Sequence, residues 1–127
     1  MTQTAAILAA VLFGGLAVLQ SLLAAGLPLG RFAWGGGHEV LPARLRVGSA
    51  VGIAIYAFFV LLAFDKVGLV DVFGQAGWTT VALWVVTVYL FLNIPLNALS
   101  RSRAERALMT PTVAVLALLF LYIALNA

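Results

Sequence analysis

Between Thr4 and Ala25 the chain carries no charged residue, and three further stretches repeat that pattern: 47–64, 78–99 and 109–126. A bilayer-crossing helix needs roughly 20 mostly apolar residues, because the hydrocarbon is about 30 Å thick and each helical residue advances about 1.5 Å. All four stretches meet that length. They are too long and too unalternated for barrel strands, and four strands cannot close a barrel. The expected fold is therefore all-α, a transmembrane four-helix bundle forming one domain over residues 1–127, with helices near 4–25, 47–64, 78–99 and 109–126. The connections are then loops 26–46, 65–77 and 100–108.

Composition agrees. Of 127 residues, 65% are hydrophobic and 9% charged, whereas soluble domains carry about 25% charged residues. Too few charges remain to coat a soluble surface, which argues against a water-soluble enzyme, a disordered tail or a nucleic-acid-binding domain. The chain has no cysteine, which removes disulfides, thiolate zinc sites and thiol catalysis. The first apolar stretch has no basic residue before it and is longer than the apolar region of a signal peptide, so it reads as a retained helix.

The seven basic residues are distributed asymmetrically. Arg31, Arg44 and Arg46 precede the second span and Arg101, Arg103 and Arg106 precede the fourth, while Lys66 alone lies between the second and third. With four spans, the first and third loops share a side, and the positive-inside bias assigns that side to the cytoplasm. The expectation is a multi-pass protein of the inner (plasma) membrane with both termini outside. The basic balance follows from topology and contact with anionic lipid headgroups, not from a nucleic-acid partner.

Small residues recur along the first helix at Ala6, Ala10, Gly14, Ala17, Ser21 and Ala25, and the second opens with Gly48-x-x-x-Gly52. Such rows let backbones approach closely in lipid. They are expected to pack on each other within the bundle, or to form a seam with a second copy or another membrane protein. Loop 26–46 holds five of the twelve glycines, together with Pro28 and Pro42. Its apolar residues place it at the membrane interface, with Trp34 as an aromatic anchor. In the third loop Ser102 and Glu105 have capping-box spacing, so the fourth helix starts near Arg103; the alternative is a start at Thr110-Pro111.

The spans contain no acid, histidine or base. Transporters coupled to protons usually place one there. Asp65, at the edge of the second span, reads as a solvated or Lys66-paired end residue. Asn93 and Asn97 lie one turn apart on one face, and Pro95 between them frees the carbonyl of Phe91. With Gln20, Ser21 and Ser49 at similar depth, they form either interhelical contacts or a polar pocket near the cytoplasmic face. The pocket reading requires the asparagines to line a cavity facing Gln20 or Tyr56. His38-Glu39 are too few for a metal site, and Gly35-Gly36-Gly37 lacks the ending of a phosphate loop. A candidate anion or lipid-headgroup surface comprises Arg31, Trp34, His38, Arg44, Arg46, Arg101 and Arg103, with exposed glycine N–H groups beside the arginines. The alternative is a folded cap tied by Glu39–Arg pairs. No serine sits in a nucleophile elbow, so no catalytic residue and no cofactor are expected.

Trp34-Gly35-Gly36-x-His38-x-x-Leu41-Pro42-x-x-Leu45-Arg46-x-x-Ser49 follows a Gly26-x-Pro28-x-Gly30 turn, and Asn97-x-x-Ser100-x-Ser102-x-x-Glu105-Arg106 precedes Pro111. Together these resemble a group of small bacterial four-helix integral membrane proteins, with Leu27 and Leu29 where that group carries Ala and Trp. The resemblance implies the same fold and carries no activity or functional residue. Three classes of function remain: a non-catalytic accessory or structural subunit, an oligomeric small-solute or ion pathway, and a lipid-headgroup-binding protein or a lipid- or quinone-handling enzyme.

Overall fold

The computed structural model describes residues 1–74 and 76–127, and among these the chain forms four long helices and no strand. They are α1 (Thr2–Ala24), α2 (Ala43–Lys66), α3 (Gly77–Ala98) and α4 (Arg103–Asn126), each long and apolar enough to cross a membrane. The protein is thus an all-α four-helix membrane bundle.

Local chemistry sets the helix ends. α1 and α2 both stop in Schellman motifs built on glycine. Gly26 (φ +93°) donates to the carbonyl of Leu23 at 3.1 Å while Leu27 donates to Leu22 at 3.1 Å. Gly68 (φ +83°) repeats this with Asp65 at 3.2 Å, and Leu69 with Phe64 at 2.9 Å. A Cβ in that left-handed region is strained, so glycine terminates the helix where it falls. α4 starts at Arg103, with Ser102 as N-cap accepting the Glu105 backbone N–H at 3.2 Å. This resolves the choice between Arg103 and Thr110 in favour of the earlier start. Pro95 and Pro111 both lie inside helices that continue past them.

The expected boundaries of two spans move. α2 begins at Ala43, not 47, because Pro42 supplies the extended residue before the first turn. Arg44 and Arg46 consequently ride on its first turns and not in the loop. Charged ends do not interrupt a helix; they extend it beyond the apolar stretch.

Neighbouring helices in sequence pair into two hairpins, α1 on α2 and α3 on α4, joined mainly where α1 lies against α4; α2 and α3 meet sparingly. The core runs through Ala5, Ala6, Ala9, Phe13, Leu62, Leu83, Leu116 and Phe120. Phe13 is its hub, with ring centroids 5.3 Å from Tyr56, 5.9 Å from Phe59 and 6.0 Å from Phe120. Of the small-residue row Ala6 joins this face, whereas Gly14 and Ser21 are exposed. Ala10, Gly14 and Ala17 instead line an open apolar groove with Ile53, Ala57 and Leu61 of α2. Alanines and large residues together fill the core, and dispersion contacts among them hold these helices together.

At the end carrying both termini, Asp65 is fully buried, in contrast to the solvated residue expected. Its Oδ1 accepts the backbone N–H groups of Val72 and Phe73, each at 2.9 Å. The loop folds over the carboxylate because its backbone N–H groups meet the need of a buried charge for donors. Lys66 turns away to Thr80 Oγ1 at 2.7 Å.

Candidate functional site

At the opposite, arginine-rich end, the segment between α1 and α2 forms two short 3-10 turns, Gly30–Phe32 and Trp34–Gly36. Gly30 closes it by donating to the carbonyl of Glu39 at 2.8 Å. A Cβ on Gly30 would lie 1.7 Å from the His38 carbonyl oxygen, so only glycine permits this approach. Leu41 and Ala33 bury themselves with Leu23, pinning the segment under α1. Trp34 takes φ +53°, a conformation uncommon for a bulky side chain, followed by Gly35 and Gly36 at φ +73° and +72°. Two contacts from α4 hold it there: Ser102 Oγ donates to the Arg31 carbonyl, and Glu105 Oε2 accepts the Gly35 N–H at 3.3 Å.

These contacts lay the Trp34 indole across α2. Its Nε1 donates to Ser49 Oγ at 3.4 Å, and the ring occupies the space that a Cβ on Gly48 would need, 2.9 Å away. Gly48 of the Gly48-x-x-x-Gly52 pair therefore accommodates a tryptophan, not a helix backbone. Gly52 faces the Gln20 amide at 3.9 Å.

Behind Trp34 the two hairpins part and leave a cavity of about 270 Å³ among all four helices. Gln20, Tyr56, Tyr89, Asn93 and Asn97 supply its polar groups, and Phe13, Leu16, Phe59, Met109 and Leu116 are among its apolar walls. Gln20 Nε2 donates to the Tyr56 hydroxyl at 3.2 Å. Gln20 Oε1 is buried with no hydrogen-bond partner among the described residues. Asn93 and Asn97 donate to the carbonyls of Tyr89 and Asn93 one turn back, both at 2.8 Å. The amides thus hold their own helix, and do not bridge to a neighbour. A second cavity of about 180 Å³ adjoins the first, sharing Leu16, Gln20, Trp34 and Met109 and adding Phe32 and Glu105. Glu105 is only 9% exposed.

Of the sequence-predicted pocket, Gln20, Asn93 and Asn97 come together, and they face Tyr56 as the pocket reading requires. Ser21 and Ser49 do not join them. Ser21 is exposed and bonds the Ala17 carbonyl at 2.8 Å, and Ser49 is buried beneath Trp34. The residues of the predicted headgroup surface take different surroundings. Arg31, Arg44, Arg101, Arg103 and His38 are exposed, Arg46 turns to the C-terminal carbonyl of Ala24 at 2.9 Å, and Trp34 belongs to the cavity. Among the described residues no ion pair ties Glu39 to an arginine; backbone contacts close the segment. Sequence reasoning assigned Trp34 to the headgroup surface and not to the pocket, and did not name Tyr89 or Glu105 as site residues. The spacing Tyr89, Asn93, Asn97 places three polar groups on one helical face and was the available signal.

Compared with known proteins, the chain matches no protein-family model, no curated protein and no solved structure.

Proposed function

We propose that this membrane protein binds a small, largely apolar molecule in the cavity behind Trp34, without catalysing a reaction on it. The observation that carries this is the convergence of Gln20, Tyr56, Asn93 and Asn97 on one space among all four helices. Ligand pockets combine mostly apolar walls with a few placed polar groups, and this lining has that character. It favours a binding role over a purely structural accessory one, and over free permeation. Toward the terminal end Phe13 and Phe120 fill the core, both 2% exposed or less, so the cavity has a floor. The arginine-rich end faces the cytoplasm of the plasma membrane in this reading, because six of the seven basic residues lie there.

Binding is tested with 1-aminoanthracene, a neutral aromatic probe, against protein in lipid nanodiscs. Wild type should give a saturable emission signal that Gly52→Trp abolishes. A signal equal to that of empty nanodiscs, or one untouched by the cavity-filling change, overturns the proposal. Because the chain has no cysteine, single cysteines at Asp71 and Arg101 report orientation. Labelling of Arg101→Cys, but not Asp71→Cys, from outside intact cells would reverse it.

A second reading is self-association through the groove of Ala10, Gly14 and Ala17. An added Cβ on Gly14 would meet nothing within 4 Å, which leaves room for a second helix. Disulfide cross-linking of Gly14→Cys in membranes should give a dimer, and a chain that stays monomeric under oxidation removes this reading.

A further inference from the structure

The two adjoining cavities are lined by no lysine or arginine, although six arginines crowd the same end of the bundle. The charged residue on their walls is Glu105. From this we infer that the ligand is a protonated amine on an aromatic-sized apolar body, with Glu105 as its counter-charge; the inference rests on the binding role proposed above.

Three observations converge. Glu105 is nine-tenths buried, and its carboxylate accepts the Gly35 N–H through Oε2. One backbone donor leaves a carboxylate acceptor capacity for a further donor, since ionised acids offer about four lone-pair sites. Next to it, Gln20 Oε1 is a buried acceptor without a donor among the described residues. Such a group is costly to leave unmet, and a turn of the Gln20 amide would offer it to an ammonium N–H on the shared wall. Beyond Gln20, Trp34, Tyr56 and Tyr89 line the larger cavity, and aromatic faces attract cations through their quadrupoles. The pattern is acceptors, π faces and one negative charge. An anionic ligand would find no cation on these walls, and a neutral hydrocarbon would leave Gln20 Oε1 as it stands. The nearby arginines do not cancel Glu105: Arg31, Arg101 and Arg103 are exposed, where water and salt screen them.

The test uses three probes of similar size: 2-phenylethylammonium, neutral propylbenzene and anionic 3-phenylpropionate. Binding is read from Trp34 emission in a Trp78→Phe, Trp84→Phe chain in zwitterionic nanodiscs. The ammonium should bind at least about tenfold more tightly than propylbenzene, and phenylpropionate should not bind. Glu105→Gln keeps an acceptor for the Gly35 N–H and removes the charge, and should weaken the ammonium about tenfold while leaving propylbenzene unchanged. If Glu105→Gln does not fold, Gln20→Leu replaces it, with the ammonium weakened several-fold and propylbenzene unaffected. Propylbenzene binding as tightly as the ammonium overturns the ligand class and leaves the cavity's binding role standing, as does an ammonium affinity indifferent to both substitutions. Failure of all three probes to bind overturns both.

Discussion

The two ends of the bundle use buried carboxylates in opposite ways. At the terminal end Asp65 is enclosed by its own loop, with two backbone donors on one oxygen, and the helices above it pack around Phe13 and Phe120. At the arginine-rich end Glu105 receives a donor from a segment 70 residues away, and the space beside it stays open. A carboxylate satisfied by residues just after it closes a turn. One satisfied across the chain ties distant elements together. The difference separates the half of the molecule that is packed from the half that is hollow.

Substitutions can break that contrast. Phe120→Ala should have the largest effect, about 3 kcal/mol of stability, because a fully buried aromatic at the closed end leaves a void that cannot collapse. Thermal unfolding in detergent would measure it, and a loss under roughly 1 kcal/mol would mean the packed half is no firmer than the hollow one. Asp65→Ala should come next, at about 2 kcal/mol, since the Val72 and Phe73 N–H groups lose a charged acceptor. Its signature is faster protease cleavage of the loop after α2 with the far end unaffected.

At the hollow end the effects are smaller. Gly48→Val should displace the Trp34 indole, because a Cβ there would approach the ring to 2.9 Å. The expected outcome is an altered Trp34 emission with about 1 kcal/mol or less lost in melting, since loop one has other anchors. Asn93→Leu should be close to neutral for stability, within about 0.6 kcal/mol, because its amide bonds only its own helix. A large destabilisation by Asn93→Leu would show that the asparagine pair is structural, and would move it out of the candidate site.

The spans were legible because only length and freedom from charge decide them, and lipid imposes both. The start of α4 was legible in part, since Ser102 and Glu105 offered a cap but Thr110-Pro111 offered another. Which face of each helix turns inward was not legible. In lipid the inside and outside of a bundle are equally apolar, so a row such as Ala10, Gly14 and Ala17 carries no label. Gln20, Asn93 and Asn97 could be gathered from depth alone, whereas Ser21 failed because depth says nothing about rotation around the helix. The place of Trp34 in the cavity, and Glu105, escaped for another reason. Their placement depends on Gly30 and on contacts between residues far apart in sequence, which no local pattern encodes.

Ser102 on the Arg31 carbonyl and Glu105 on the Gly35 N–H make a strap between the first hairpin and the last helix. Any tilt of α4 therefore pulls on Trp34, even though α4 and the indole belong to opposite halves of the chain. Over their length α2 and α3 touch sparingly, so the strap adds a link between the two hairpins that this pair of helices does not supply. The placement of the indole and the posture of α4 are in this way mechanically one variable.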